Sequence, residues 1–275
     1  MGTALKPWWA YDVGRGRRLR QRLERTLRPS GLGTLRRTRP LSDRWGLDRG
    51  TPVDRWYVER FLGEERASIR GRVLEVRDTR YTRAFGTDVA SSDVIDIDES
   101  NPDATIVADL SKPSSIPTGT FDCFLLVQTL QFIFDTRGVL EEAHRVLAPG
   151  GVLLCTVPAV SRISMRYLDA EYWRFTVAGC RELVTIAFPG ADVDVRSHGN
   201  VLACAAFLYG LAVEDLTEQE LLDEDPFFPL VIAVKARKRP TAAPADSQVF
   251  RSHEVIALPA SLSGASTVPM MRTRP

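Results

Sequence analysis

Five polar side chains stand at or just after the ends of short apolar runs, where strands of a parallel sheet would finish. Glu75 closes the first run, Asp96 and Asp98 the second, Asp109 the third, and Gln128 follows the fourth. Open α/β sheets bind ligands at the carboxyl ends of their strands. Carboxylates in a row there accept hydrogen bonds from hydroxyl and amino groups such as those of ribose and adenine. The positions therefore predict a pocket for a nucleoside-containing cofactor.

The elements that must position these side chains alternate between β-branched apolar runs and stretches of helical period. This alternation is typical of a parallel sheet with helical crossovers. We therefore predict an α/β fold, a doubly wound, mostly parallel, seven-stranded Rossmann-like sheet whose last two strands are joined by a long segment. The predicted strands are Arg72–Val76, Asp93–Ile97, Thr105–Ala108, Phe121–Val127, Val152–Val157, Asp192–Arg196 and Leu230–Ala236.

Three helices are predicted between these strands. The clearest is Thr136–Leu147, with Asp135 as its N-cap and Pro149-Gly150-Gly151 as its stop. A second covers Val177–Ala187, and a third, Val201–Leu211, is apolar nearly all round and is expected to be buried. Only seven residues separate Ile97 from Thr105, too few for a helical crossover, so no helix is expected there.

The charge of the chain divides it into regions. Its 275 residues carry a net charge of +1, yet residues 1–50 hold 13 Lys and Arg against 4 Asp and Glu, a local +9, which leaves −8 on the remainder. We predict a basic N-terminal arm over 1–50, an α/β domain over 51–238 and a disordered, mobile tail over 239–275. The arm has an intramolecular target in the strand-end carboxylates, so the two halves of the charge are expected to meet.

Composition also excludes several classes of protein. With 44% hydrophobic and 26% charged residues, the chain is neither fully disordered nor collagenous. No apolar run approaches the roughly 20 residues that span a bilayer, and no signal peptide is evident, so no membrane partner and a cytoplasmic location are expected. The four cysteines form no CxxC pair and are expected to be buried free thiols, with no metal site.

Several stretches in combination resemble the class I S-adenosylmethionine-dependent methyltransferases, in the type 11-like branch. The resemblance covers about residues 51–238, and its last block is similar to a branch often found near sugar-modifying enzymes. The stretches are Arg72-Val-Leu-Glu75, Ile106-Val-Ala-Asp109-Leu110, Ile116-Pro117, Phe121-Asp122, Leu140-Glu-Glu-Ala-His-Arg145-Val-Leu-Ala-Pro-Gly-Gly151 and Glu171-Tyr-Trp-Arg-Phe-Thr176.

The resemblance implies S-adenosylmethionine as the cofactor. It implies Glu75 near the methionine end, although a structural role for this carboxylate is an equal alternative. It further implies Asp96 or Asp98 at the ribose and Asp109 with Leu110 at the adenine, and Gln128 completes the cofactor-binding set.

The chain departs from the family in the loop after the first strand. Where the family has glycines in the pattern Glu-x-Gly-x-Gly-x-Gly, this chain reads Glu75-Val-Arg-Asp-Thr-Arg-Tyr81. The glycines allow a tight turn and a close approach of the backbone to the cofactor. Arg77 brings a positive charge towards a sulfonium, but its guanidinium is also suited to pairing with the methionine carboxylate.

Methyl transfer to a hydroxyl requires a base near the strand ends. His198 follows the penultimate strand, and Asp169 and Glu171 are rival bases in the acceptor-side segment. Tyr172, Trp173 and Arg174 are predicted to form a stacking and hydrogen-bonding wall for a sugar or aromatic acceptor, although Trp173 is equally compatible with a core position.

The function predicted from these residues is O-methylation of a small-molecule or glycan acceptor in a biosynthetic pathway. The main alternative is a methyltransferase-like binding domain that has lost its glycine loop and its activity. Nucleic-acid modification through the arm is a weaker hypothesis, because aromatic residues do not interleave with the arginines. A homo-oligomer stays open.

Overall fold

The computed structural model describes residues 33–165 and 168–240, together with Leu23, Thr26 and Leu27. Most of the predicted basic arm and nearly all of the predicted C-terminal tail, including His253, lie outside the described residues. In the part of the chain that is described, no helix is both long enough and apolar enough to cross a bilayer.

One sheet of seven strands organises the described chain and confirms the predicted α/β fold. The strands are β1 (Gly71–Val76), β2 (Val89–Asp96), β3 (Ile106–Val107), β4 (Phe121–Val127), β5 (Leu147–Pro158), β6 (Asp192–His198) and β7 (Val231–Arg237). Their order is β3-β2-β1-β4-β5-β7-β6. β7 runs antiparallel to both of its neighbours, whereas the other pairs are parallel. The chain order reverses between β1 and β4, which is where a doubly wound sheet opens its ligand crevice.

Helices cover both faces of this sheet. They are α1 (Val53–Glu64), α2 (Arg80–Phe85), α3 (Thr136–Val146), α4 (Val177–Ala187), α5 (Val201–Tyr209) and α6 (Glu218–Leu222). Asp135 caps α3 as predicted, since its carboxylate accepts a hydrogen bond from the amide of Gly138 at 2.9 Å. Thr176 and Asn200 cap α4 and α5 in the same way.

The period of two along each strand divides the core into two layers. In β1, Leu74 faces α3 and α4, whereas Val73 faces α1 and α5. In β4, Phe124 and Cys123 repeat this division. All four cysteines are buried free thiols, as predicted.

Four details of the predicted elements were wrong. β5 starts at Leu147 rather than Val152, so the predicted helix stop Pro149-Gly150-Gly151 lies within the strand. β2 starts at Val89 rather than Asp93, because a run of small polar residues pairs along β1 without an apolar signal. The helices α1 and α2 were not predicted. The prediction that α5 is buried all round fails, since the side chain of Val201 is 58% exposed and those of Leu202 and Leu208 are more than 40% exposed. This helix packs one face on the sheet and leaves the other uncovered in the described residues.

The connection between β2 and β3 has no helix, as the short spacing predicted. Residues 97–105 form turns, fixed by the carboxylate of Asp98 and the side chain of Asn101. The carboxyl end of β2 is therefore not covered by a crossover helix.

The described end of the basic arm, residues 33–50, packs against α5 and the loop after β5. Arg49 forms a bidentate ion pair with Asp215, at 2.8 and 3.1 Å. The guanidinium of Arg162 lies 5.0 Å from the ring centre of Trp45 and also donates to the carbonyl of Asp43. The described arm thus meets acidic surface, but Arg49 pairs with Asp215 rather than with a strand-end carboxylate.

Candidate functional site

A cavity of about 820 Å³ opens at the carboxyl ends of β1, β2, β3 and β4. Its volume lies in the range of pockets for small molecules and cofactors. All seven predicted cofactor residues line it: Glu75, Arg77, Asp96, Asp98, Asp109, Leu110 and Gln128. The fold therefore brings together side chains that are more than 50 residues apart in the chain.

Glu75 occupies the base of this cavity, and α2 binds its carboxylate. The oxygens accept hydrogen bonds from the backbone amides of Tyr81 at 3.0 Å and Thr82 at 2.8 Å, and from the Thr82 hydroxyl at 2.7 Å. Burial raises the pKa of Glu75, and these hydrogen bonds oppose that rise. Because its acceptor positions face the start of α2, Glu75 fixes the loop between β1 and α2.

Arg77 stands where the family places its first glycine, and it keeps the backbone conformation of a glycine. Its φ is 76°, in the left-handed region that side chains with a Cβ rarely adopt. The amide of Arg77 donates to the carbonyl of Ile95, and its own carbonyl accepts from Asn101 at 2.7 Å. The tight turn after β1 has therefore been retained without the glycine.

Replacing Arg77 by glycine separates the backbone role of this position from its charge. We expect Arg77→Gly to change the free energy of unfolding by less than about 1 kcal/mol, because relief of left-handed strain offsets the added freedom of the unfolded chain. Thermal denaturation measures this change. If the guanidinium pairs with the cofactor carboxylate, ligand affinity falls by about tenfold in calorimetry. Arg77→Ala is the matched variant, since it loses the charge but keeps the strain, and a Tm above that of Arg77→Gly would contradict the argument.

Asp96, the last residue of β2, points its carboxylate towards the turn that follows. One oxygen accepts from the side-chain amide of Asn101 at 2.6 Å, and the other accepts from the amide of Asp98 at 3.1 Å. Asn101 thereby links the end of β2 to the loop after β1. Sequence reasoning missed Asn101, because a lone asparagine in a turn carries no spacing signal.

Asp109 follows β3 at the opposite side of the cavity. Hydrogen bonds from the Ser111 hydroxyl and from Lys112 lower its pKa to about 2. The Ser111 amide also donates to this carboxylate at 3.0 Å. The turn holds Leu110, which is buried, against the cavity.

Gln128 ends β4 in a second left-handed position, with a φ of 47°. Its side-chain nitrogen is buried without a hydrogen-bond partner, although Gln128 lines the cavity. A buried unpaired donor costs about 1–3 kcal/mol unless a ligand accepts from it. Strained residues and unpaired groups concentrate at functional sites, and this donor fits the carboxylate or amino-acid end of a polar ligand.

Tyr81 is a further cavity residue that the sequence analysis did not assign. It stands at the position of the family's third glycine and lines the cavity beside Arg80, and its ring stacks on Phe85. Burial raises the pKa of its phenol. The sequence carried this signal in the lost glycine itself, because a side chain in that place must enter the space that the glycine leaves.

The segment after β5 closes the acceptor side of the site. Ala170 lines the cavity, and Asp169 beside it is exposed. Glu171 is nearly inaccessible and forms an ion pair with Arg174 at 2.7 Å, while its second oxygen accepts from the amide of Ser164 at 2.8 Å. Arg174 also donates to the carbonyls of residues 161, 162 and 173. Glu171 and Arg174 therefore hold the loop together. Because their polar atoms are engaged within the loop, Glu171 is poorly suited to act as a base and Arg174 to contact an acceptor.

Removing the Glu171 carboxylate tests this structural assignment. We expect Glu171→Ala to lower the free energy of unfolding by about 3 kcal/mol, because Arg174 would remain as a partly buried charge without its partner. Urea denaturation followed by tryptophan fluorescence measures this. In Glu171→Gln, which keeps the acceptor for Ser164, a loss of turnover without loss of stability would instead make Glu171 the base.

His198 is placed away from the cavity. It is the last residue of β6, at the far edge of the sheet from β1, and it is not among the residues that line the site. Its Nδ1 lies 2.8 Å from the carboxylate of Glu224, and its ring stacks on Tyr57 with centres 6.2 Å apart. β6 runs in the same direction as β1 and β4, so His198 lies at the carboxyl ends of the strands, as predicted. It is nevertheless separated from the cavity by the width of several strands.

One protein family matches part of this chain. Residues 67–155, which include β1, β2, β3, β4 and most of β5, match the family described as "Methyltransferase domain". Over these residues the chain is therefore similar to a methyltransferase domain. The matched residues contain the strand ends that build the cavity.

Solved structures of similar fold are distant from this methyltransferase domain. A methyltransferase from Mesorhizobium loti is 18% identical, with 70% of this chain and 100% of that chain covered and a TM-score of 0.45. One from Archaeoglobus fulgidus is 15% identical, with coverages of 67% and 94% and a TM-score of 0.46. The [4+2]-cyclase SpnF is 16% identical, with coverages of 70% and 85% and a TM-score of 0.49. A comparison with curated protein sequences gave no match.

Similarity to a methyltransferase domain implies S-adenosylmethionine as the cofactor. The cavity fits such a molecule in three respects. Its volume is sufficient, its strand ends carry carboxylates for hydroxyl and amino groups, and the unpaired nitrogen of Gln128 offers a donor to a carboxylate.

Proposed function

We propose that the methyltransferase domain transfers a methyl group to a hydroxyl oxygen of a small-molecule or glycan acceptor in a biosynthetic pathway. The observation that carries the proposal is the cavity at the β1 and β4 strand ends, with the Asp96 carboxylate on one side and the unpaired Gln128 nitrogen on the other. Bound S-adenosylmethionine supplies a methyl group already activated by its sulfonium.

Residues of this chain would hold the cofactor at both ends of the cavity. Asp96 is suited to the ribose, with Asp98 beside it, and Leu110 provides an apolar surface for the adenine. Arg77 and Gln128 supply donors for the methionine carboxylate. Glu75 and Asp109 act by positioning, since their carboxylates are engaged by α2 and by the turn after β3.

The protein's own part in the transfer is to orient the acceptor and to remove its proton. Of the three predicted bases, Asp169 best meets these requirements. Its side chain is exposed next to the cavity-lining Ala170, whereas Glu171 is ion-paired and His198 lies at another part of the sheet. We propose Asp169 as the base that accepts the hydroxyl proton.

Calorimetric titration with S-adenosylmethionine and with its demethylated product tests the proposal. We expect both to bind the wild-type chain, and Asp109→Ala to bind them more weakly because Leu110 loses its fixed turn. Absence of binding at millimolar ligand would sink the proposed function. Asp169→Asn should retain cofactor affinity and lose turnover, and unchanged turnover would remove Asp169 from the mechanism.

A domain that binds the cofactor without catalysis is the second candidate. The replacement of the family's glycines favours it, because Tyr81 adds a side chain to a residue that lines the cavity and Thr79 adds a Cβ to the loop. Tight binding of the demethylated product, with no methyl transfer to any of a broad set of hydroxyl acceptors, would support this candidate.

A cytoplasmic location and a homo-oligomeric state remain predictions from the sequence. Size-exclusion chromatography with light scattering measures the second. Affinity for duplex or single-stranded nucleic acid, measured with and without residues 1–32, tests the nucleic-acid hypothesis, and we expect no strong binding.

A further inference from the structure

Three aromatic side chains at the rim of the cavity are exposed where apolar groups are usually covered. Phe134 is 68% exposed, Tyr172 49% and Trp173 36%. We call these three residues the aromatic ledge. Contiguous apolar surface of this kind, unlike a single exposed side chain, marks a binding surface.

The aromatic ledge is built from two segments of the chain, and each segment also contributes a residue to the wall of the cavity. Ile133, which precedes Phe134, lines the cavity, and so does Ala170, which lies two residues before Tyr172. The ledge therefore adjoins residues that line the cavity. Phe134 was not among the residues that the sequence predicted.

Hydrogen bonds fix the backbone of Tyr172 and Trp173 and the indole ring of Trp173. The amides of Tyr172 and Trp173 donate to the carbonyl of Gln131, at 2.8 and 3.3 Å. The indole nitrogen of Trp173 donates to the carbonyls of Ile133 at 3.1 Å and Phe134 at 3.2 Å. Rings whose freedom is already lost bind a ligand at little further entropic cost.

The arrangement of the rings selects the shape of the ligand. The centres of Phe134 and Trp173 are 5.6 Å apart at 29°, and those of Phe134 and Tyr172 are 5.5 Å apart at 76°. A flat ring inserted between two others needs about 7 Å, twice the usual contact distance. The ledge therefore has no slot for an intercalated aromatic ring. Phe134 and Trp173 stack on each other, which leaves only the outward face of each ring for a ligand.

We propose that the aromatic ledge binds a sugar ring of the acceptor. A sugar ring has an apolar C–H face that packs on an aromatic face, while its hydroxyl groups stay in water on the other side. An open ledge satisfies both requirements at once, whereas a flat aromatic acceptor would leave one apolar face exposed. This inference rests on the proposed function, because it takes the bound sugar to be the methyl acceptor.

Saturation-transfer NMR with methyl glycosides of the common hexoses, deoxyhexoses and N-acetylhexosamines tests the ledge without cofactor. We expect at least one glycoside to receive saturation at its C–H face. Loss of one ring should weaken its binding about tenfold in Phe134→Ala and in Trp173→Ala. Phe134→Tyr should bind as the wild type does. Phe227→Ala is the matched control, because Phe227 is 86% exposed and lies on the segment between α6 and β7.

The outcomes separate this inference from the proposed function. No saturation of any glycoside, or equal signals for wild type and Phe134→Ala, would overturn it. Stronger binding of 4-nitrophenol than of every glycoside, lost in the same variants, would also overturn it in favour of a flat acceptor. Glycoside binding to a chain that does not bind S-adenosylmethionine would support the ledge and refute the proposed methyl transfer.

Discussion

Replacing Glu75 by alanine is expected to lower the free energy of unfolding by about 3 kcal/mol and to abolish cofactor binding. The variant leaves the amides of Tyr81 and Thr82 without their buried acceptor, and each unsatisfied buried group costs about 1–3 kcal/mol. The loop after β1 then loses its contact with α2, and only the hydrogen bonds to Ile95 and Asn101 still hold the left-handed turn of Arg77. Urea denaturation gives the stability, and calorimetry gives the affinity.

Glu75→Gln is the graded comparison, because it keeps the size of the side chain and one acceptor oxygen. Glu218→Ala, an exposed position on α6, is the control for removing a carboxylate. An unfolding free energy in Glu75→Ala within about 0.5 kcal/mol of wild type would contradict the assigned role, since that is the range of ordinary surface substitutions.

The pH dependence of the unfolding free energy is a second test of the role of Glu75. The folded pKa of Glu75 is raised above its ordinary value of 4.5, so the folded state binds the proton more tightly than the unfolded state. Its contribution to stability is therefore present below pH 4.5 and declines as pH rises through the raised value. As pH rises from 4.5 through the raised pKa of Glu75, the unfolding free energy of the wild type should therefore fall relative to that of Glu75→Gln.

Replacing Asp96 by alanine is expected to weaken S-adenosylmethionine binding by roughly 10- to 100-fold. Hydrogen bonds to a charged acceptor contribute about 1.5–3 kcal/mol, and each 1.4 kcal/mol is tenfold in affinity. The variant also frees Asn101, which ties the end of β2 to the carbonyl of Arg77. Both effects act on the ribose side, which has no crossover helix to compensate.

Calorimetry on Asp96→Ala, Asp96→Asn and Asp192→Ala separates these effects. Asp192 is exposed on β6 at the far edge of the sheet, so its removal should leave the affinity unchanged. The asparagine variant should fall between alanine and wild type, because it retains one acceptor. If Asp96→Ala binds S-adenosylmethionine as tightly as the wild type does, the ribose contact would be assigned to Asp98 instead of Asp96.

Local patterns in the sequence determined the architecture of this chain. The run that ends at Glu75 and the capped helix after Asp135 were predictable, because apolar periodicity and capping residues act within a few positions. The absence of a helix between β2 and β3 was predictable from the small number of residues that connect the two strands. The same local rules failed for α5, because the exposure of an apolar helix depends on which elements pack against it.

The sequence by itself determined that Glu75, Asp96, Asp98, Asp109 and Gln128 would meet at one edge of a sheet, since parallel strands end together. Tertiary structure alone decided what each side chain does there. It engaged Glu75 with α2, left the nitrogen of Gln128 unpaired, enclosed Glu171 in an ion pair and set His198 at the opposite side of the sheet. Strand order and loop packing bring together residues distant in the chain, and no local pattern records which of two rival carboxylates, Glu171 or Asp169, pairs with a cation and which stays exposed.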